Sequence, residues 1–201
     1  MHVTLSHDAT SGLAWVAIGT GAIALLGLLC LIVFFAGVPV FGPINDGCIA
    51  LAGLLSGVLA WQFWADRTGP APLLSTLALG AALVGALVVV LGSALVIFRV
   101  TGWVLAGFYV EFGNALIGLW LLRLSYLAQA GGAWPRGLVL LGLVASATMV
   151  LGLLTGPAIV RGIDAFESIP WYVNLGQAGA VGWMLLFPIW CLWLGRFASA
   201  R

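Results

Sequence analysis

The sequence contains very little charge. Only 6% of its 201 residues are charged, lysine is absent, and 63% of the residues are hydrophobic. Soluble domains carry about 25% charged residues, so this composition excludes an ordinary soluble domain. The mean hydropathy of +1.20 instead predicts an integral membrane protein that is surrounded by lipid. The seven arginines are dispersed along the chain, which excludes the basic stripe of a nucleic-acid-binding protein.

Side chains that bind metals and cofactors are also scarce. Both histidines, His2 and His7, lie in the N-terminal tail, so none of the apolar segments offers a histidine to haem. The three cysteines form no CxxC pair, and no Gly-rich phosphate loop follows a strand. We therefore predict no cofactor and no metal site, and a soluble type of enzyme is disfavoured. An intramembrane enzyme that uses Glu111 as an acid or base is a minor alternative.

Six long apolar segments are present. A hydrocarbon core of about 30 Å needs about 20 mostly apolar residues per span. The segments that qualify are residues 13–36, 44–64, 73–98, 102–122, 137–160 and 174–194. Their apolar runs are continuous rather than alternating, and backbone polar groups in lipid must be bonded within a helix. The sequence therefore predicts an all-α bundle of six transmembrane helices in a single domain, 1–201, with the helices paired as three hairpin repeats.

The arginines predict the orientation of the bundle. Six spans put both termini on one side, and that side carries Arg67, Arg123, Arg136, Arg196 and Arg201. The opposite side carries only Arg99 and Arg161. Because arginine-rich loops stay in the cytoplasm, both termini are predicted to be cytoplasmic. Residues 1–12 lack the basic start of a signal peptide, and a bacterial inner membrane is the expected location.

Glycine and proline positions predict how the spans pack and bend. Gly53 and Gly57 lie four residues apart, a spacing that lets neighbouring helices approach closely. Pro157 is expected to end or kink the fifth span, and Pro188 to kink the sixth. Thr101 is the predicted N-cap of the fourth span.

Glu111 is the strongest candidate for a functional residue. It lies about eight residues into the fourth span, which at 1.5 Å per residue is about a dozen Å below the membrane surface. A carboxylate at that depth faces the bundle interior or a water-filled cavity, and it is a functional candidate by default. Gly107, Glu111, Asn114 and Gly118 share one helix face, which is predicted to point inward, opposite the apolar face that carries Ile117.

Several polar side chains fall in the half of the membrane away from the termini. They predict an outward-facing polar pocket, built from Asn45, Asp46, Glu111, Asn114, Asn174 and Gln177. Such a pocket suits a lipid headgroup, a small polar solute or a proton. The alternative is that these groups bond to one another and fix the helix register. The corresponding functions are a lipid- or solute-binding membrane protein and a non-catalytic accessory subunit of a larger complex. The expected partners are membrane lipids, other membrane subunits or a second copy of the chain.

Three stretches carry a resemblance to known sequences. They are FGPIND at 41–46, NALIGLWLL at 114–122, and WPR at 134–136 followed by GLVLLGLV. In these stretches the chain resembles uncharacterised bacterial six-helix integral membrane proteins of the domain-of-unknown-function type. The resemblance implies six helices, and it implies no activity and no catalytic residues.

Overall fold

The spans are helices, as the sequence predicted. The structure, a computed structural model, describes residues 7–65, 72–132 and 134–200. Within these residues, six helical segments are long and apolar enough to cross a membrane, so the prediction of an all-α six-span protein is confirmed. The segments are Ser11–Phe35, Phe41–Ala65, Leu73–Ile97, Trp103–Gly131, Arg136–Val160 and Trp171–Ser199. His2, Arg67 and Arg201, which entered the sequence predictions, lie outside the described residues.

The first four spans are continuous helices. They are α1 (His7–Phe35), α2 (Phe41–Ala65), α3 (Pro72–Ile97) and α4 (Trp103–Gly131). The sequence prediction ended the fourth span at residue 122, before Arg123, but α4 continues to Gly131. The helix ends there because Gly132 adopts a left-handed conformation with a φ of 62°, which glycine reaches without a steric penalty.

The last two spans are interrupted helices. Span five comprises α5 (Arg136–Val150), a 3₁₀ segment (Leu151–Thr155) and α6 (Gly156–Val160). Span six comprises α7 (Trp171–Gln177), α8 (Gly179–Val181), a π-helical turn (Gly182–Leu186) and α9 (Phe187–Ser199). Each proline lacks the N–H that would bond to the carbonyl four residues earlier. The 3₁₀ segment accordingly precedes Pro157 and the π-helical turn precedes Pro188, where kinks were expected.

The spans form a ring in chain order. Each packs against the next, and span six closes the ring by packing α9 against α1. The most buried helix is α4, since 67% of its most apolar 18 residues are buried, compared with 28–44% in the other spans. The face of α4 opposite Glu111 is therefore also covered by protein, and Ile117 on that face is fully buried.

Glycines bring the spans into close contact. Gly53 and Gly57 of α2 face α3, as their spacing predicted. A Cβ atom on Gly113 of α4 would lie 2.6 Å from the carbonyl oxygen of Gly85 in α3, and a Cβ on Gly85 would collide with the carbonyl of Gly113. The two backbones therefore touch at this point, which only glycine permits.

The prediction that Thr101 caps α4 is wrong. The N-cap is Gly102, and the Thr101 hydroxyl bonds to none of the described residues. Asp164, in the loop between α6 and α7, accepts hydrogen bonds from the backbone N–H groups of Gly102 at 2.5 Å and Leu105 at 3.0 Å. A Cβ on Gly102 would lie 2.6 Å from Asp164 Oδ1, so this residue must be glycine for the carboxylate to fit. The acidic side chain binds the helix start and holds the loop against α4.

Candidate functional site

Two adjacent cavities lie at the centre of the bundle. The smaller, of about 20 Å³, lies between α1, α2, α4 and span six, and the larger, of about 80 Å³, extends to α3. They share the lining residues Asn45, Ile49, Trp183 and Met184. A buried water needs about 10–15 Å³, so together the cavities hold a few water-sized groups. We refer to the pair as the central cavity.

Asn45 lines both parts of the central cavity. It lies near the start of α2 and is 3% exposed. Its amide nitrogen donates a hydrogen bond of 3.2 Å to Asp46 Oδ1, whereas its Oδ1 atom is buried and accepts no hydrogen bond from any described residue. Gly27 of α1 leaves room beside this oxygen, since a Cβ there would lie 3.7 Å from it. The cavity therefore contains a buried acceptor that the described protein groups do not satisfy.

Trp183 provides a buried hydrogen-bond donor that, like Asn45 Oδ1, has no partner among the described residues. It lies in the π-helical turn of span six and lines both parts of the cavity. Its indole N–H is buried, and it has no hydrogen-bond partner among the described residues. A buried tryptophan normally finds a partner for this group. Turns of π-helix are frequent at functional sites, and here the turn places a polar group at the bundle centre.

Asp46 and Asn114 complete the polar lining. Asp46 is half-buried and lines the larger cavity. Asn114 of α4 is buried and lines the smaller one, and its amide nitrogen donates a hydrogen bond of 2.9 Å to the carbonyl of Val110. Three of the six predicted site residues therefore line the two adjacent cavities: Asn45 lines both, Asp46 the larger and Asn114 the smaller.

Glu111 lies beside the central cavity without lining it. Its side chain is 6% exposed, and the backbone N–H of Ala180 in α8 donates a hydrogen bond to its carboxyl group. One carboxyl oxygen, Oε1, has no hydrogen-bond partner within the part of the chain that the structure describes. Gly152 allows span five to reach the same turn of α4, because a Cβ there would lie 2.7 Å from the Glu111 carbonyl oxygen. Glu111 thus connects α4 to the interrupted part of span six.

The remaining two predicted site residues lie elsewhere. Asn174 is exposed and Gln177 is half-buried, both on α7, and neither lines the central cavity. The sequence analysis missed Trp183. The signal for it was available, because Trp183 lies in the middle of an apolar segment rather than near a predicted membrane surface, and its N–H needs a partner there.

An aromatic group borders the larger cavity at the end of the bundle away from the termini. Trp103, the first residue of α4, lines the cavity and is 43% exposed. Its ring centre lies 5.9 Å from that of Phe35 in α1 and 6.0 Å from that of Phe166 in the α6–α7 loop. Three separate parts of the chain therefore meet at this edge of the cavity.

The chain was compared with known protein families, curated proteins and solved structures. No protein-family model, curated protein or solved structure matches it. The resemblance to six-helix proteins of the domain-of-unknown-function type therefore stays a prediction. Within the described ranges, no group of three or more histidine, cysteine, aspartate or glutamate side chains is placed to hold a metal ion.

Proposed function

We propose that the protein binds a small polar solute in the central cavity and passes it through the membrane. The observation that carries the proposal is that two residues lining both parts of the central cavity, Asn45 and Trp183, each hold a buried polar atom, Oδ1 and the indole N–H, without a hydrogen-bond partner among the described residues. An unsatisfied buried polar group costs about 1–3 kcal/mol. Native proteins satisfy nearly all such groups, so each exception calls for water, a ligand or a functional reason.

The size of the cavity favours a solute over a lipid. Its larger part measures about 80 Å³, whereas an apolar cavity that holds benzene measures about 150 Å³. A phospholipid headgroup with its glycerol backbone is larger still. Of the three ligands that the sequence left open, a molecule of a few non-hydrogen atoms fits this space best.

Glu111 has a positioning role in this proposal. Its carboxyl group holds Ala180, and Trp183 follows three residues later in the same interrupted segment. The bond between α4 and α8 therefore supports the π-helical turn that carries the indole into the cavity. Gly182, in that turn, fits closely against Met149 of α5, which restrains the turn from the other side.

We infer that the protein resides in a bacterial inner membrane with both termini in the cytoplasm. Support comes from the described arginines, because Arg136 and Arg196 lie near the end that carries the termini, and Arg99 and Arg161 lie near the other end. In this orientation Trp103 and the larger part of the cavity lie toward the outer surface.

Solute permeability tests the proposal. We would reconstitute the protein into liposomes and measure by stopped-flow light scattering the entry of water, urea, acetamide and methylammonium. Asn45→Leu removes the free acceptor, and Trp183→Phe removes the free donor while it keeps the ring. The matched controls are Asn174→Leu and Trp171→Phe, which change the same residue types on exposed parts of α7.

We expect at least one solute to enter faster than in protein-free liposomes. Both cavity variants should reduce that rate severalfold, and both control variants should leave it unchanged. If no solute enters faster than in protein-free liposomes, or if the cavity and control variants behave alike, the proposal is wrong.

A second candidate function is that of an accessory subunit in a larger membrane complex. The observation that favours it is the exposure of the first three spans, in which only 28–33% of the most apolar 18 residues are buried. These faces are available to lipid or to another chain. Native mass spectrometry of the protein extracted gently from its own membrane distinguishes the two functions, because only a subunit should retain other proteins in fixed stoichiometry.

A further inference from the structure

The larger part of the central cavity has an acidic lining without a basic counterpart. Asp46 is its only ionisable side chain, and no arginine is among the described residues that line either part. Arg99 and Arg161, the two described arginines at this end of the bundle, are both exposed. A solute in this cavity therefore meets negative charge that no neighbouring cation in the lining offsets, which favours a positively charged occupant.

The unsatisfied acceptor points in the same direction. Asn45 lines the cavity and is almost completely buried, and its Oδ1 atom has no partner among the described residues. One N–H of its amide group is donated to Asp46, and the oxygen is the atom that no described residue bonds, so the group offers an unsatisfied acceptor. An occupant must therefore supply an N–H or O–H to this oxygen, as well as charge to the neighbouring carboxylate.

Two indole rings add a third feature that suits a cation. Trp103 and Trp183 both line the larger cavity, together with the thioether of Met184. Tryptophan is the aromatic side chain that attracts cations most strongly, and aromatic cages recognise ammonium groups in this way. The Trp183 N–H remains available to a water molecule that accompanies the cation.

From these three features we infer that the solute is a small nitrogen cation with N–H donors, such as ammonium or a short alkylammonium. The inference rests on the proposed function and gives it a substrate class. The volume of about 80 Å³ limits the ion to a few non-hydrogen atoms, so methylammonium is a suitable probe. Acetamide is a neutral probe that is similarly small and can also donate an N–H.

The test measures binding to the full chain in lipid nanodiscs. We would titrate methylammonium chloride at constant ionic strength, with sodium chloride as the balancing salt, and follow tryptophan fluorescence and the unfolding temperature. Asp46→Asn neutralises the cavity carboxylate and keeps its shape. Glu167→Gln is the matched control, because Glu167 is an exposed acid at the same end of the bundle that does not line the cavity. Trp103→Leu is a second cavity variant.

We expect saturable binding of methylammonium, at least tenfold weaker in Asp46→Asn and in Trp103→Leu and unchanged in Glu167→Gln. Unfolding temperatures without ligand show whether each variant is folded. If Asp46→Asn does not fold, the binding measured with Trp103→Leu still tests the inference. Binding of methylammonium that survives both cavity variants would overturn the inference.

Acetamide separates this inference from the proposed function. If acetamide binds, methylammonium does not, and Asn45→Leu abolishes the binding, the cavity takes a neutral polar solute and only the cation inference is wrong. If neither probe binds and none of the four solutes enters liposomes faster than in the absence of protein, both the inference and the proposed function are wrong.

Discussion

The contact between α3 and α4 allows a sharp test of the packing. We predict that Gly113→Ala destabilises the protein strongly. The new methyl group would lie 2.6 Å from the Gly85 carbonyl oxygen and 2.8 Å from the backbone nitrogen of Val89. Non-bonded atoms of this kind prefer separations of about 3.5–4.0 Å, so the two helices would have to separate by about 1 Å.

The obstructing atoms determine the magnitude of the effect. Because they belong to the backbone of α3, no side-chain rotation relieves the overlap. Overpacking of a well-packed interior typically costs about 1–3 kcal/mol, and we expect Gly113→Ala to fall at the upper end of this range, at about 3 kcal/mol. The loss should be larger than that of Gly57→Ala, whose Cβ would lie 3.3 Å from the Cβ of Ala86.

Gly80→Ala is the matched control in α3. This glycine is exposed, and a Cβ there would meet no heavy atom within 4 Å. Since alanine is the better helix former by up to about 1 kcal/mol, the variant should be as stable as the wild type or slightly more so. Equilibrium unfolding in mixed micelles of dodecyl maltoside and sodium dodecyl sulfate, followed by tryptophan fluorescence, gives both free energies of unfolding.

The difference in stability between Gly113→Ala and Gly80→Ala tests the contact between α3 and α4. If Gly113→Ala and Gly80→Ala unfold at the same detergent composition, the backbones of α3 and α4 do not touch as described.

Three further changes test the connections around α4 and span six. Asp164→Ala should lower the free energy of unfolding by about 1–2 kcal/mol, because a lost helix cap costs that much. Amide exchange in the first turn of α4 should become faster in this variant and stay unchanged in the control variant Glu167→Gln. Glu111→Gln should retain the hydrogen bond from Ala180 and most of the stability. Glu111→Leu should lower the free energy of unfolding by about 1–3 kcal/mol, because it leaves that N–H unpaired. Equal free energies of unfolding in the two variants would contradict the hydrogen bond. Pro188→Ala supplies the missing N–H and should slow amide exchange in the π-helical turn, and unchanged exchange would show that the proline does not cause this turn.

Much of the fold could be predicted from composition, because lipid allows so few alternatives. A chain with this hydropathy can cross the membrane only as helices, so counting apolar segments is enough to obtain six spans. The prolines were equally informative, since Pro157 and Pro188 lack a donor wherever the helix lies. These predictions depend on local chemistry alone, and that is why they hold.

The cap of α4 shows where local chemistry fails. Thr101 has the right residue type at the right distance, but Asp164 binds the helix start from the loop between spans five and six. A carboxylate accepts hydrogen bonds from backbone N–H groups more strongly than a hydroxyl does. The sequence around Thr101 gives no indication that Asp164 binds the start of α4 instead.

The sequence predicted the kinds of side chain at the candidate site better than it predicted which residues belong to the site. Asn45, Asp46 and Asn114 are polar residues in apolar segments, and the structure brings them to one cavity. Asn174 looked equivalent, yet the rotation of α7 leaves it exposed. Helix rotation depends on the packing of all six spans, so a pattern within one span does not determine which polar groups face each other.

The burial of α4 has a consequence for how the protein is made. Its hydropathy of 1.5 is below that of α3, at 2.5, and it carries Glu111 within its membrane-spanning part. An ionised aspartate, lysine or arginine at the middle of a helix opposes its insertion by about 2.5–3.5 kcal/mol, and a buried glutamate acts in the same sense. Because α3 is synthesised first and a short turn joins the two helices, α3 is available to shield α4 as it leaves the ribosome. The glycine-lined contact between α3 and α4 is therefore suited to helping α4, the least apolar of the six spans, to insert into the membrane.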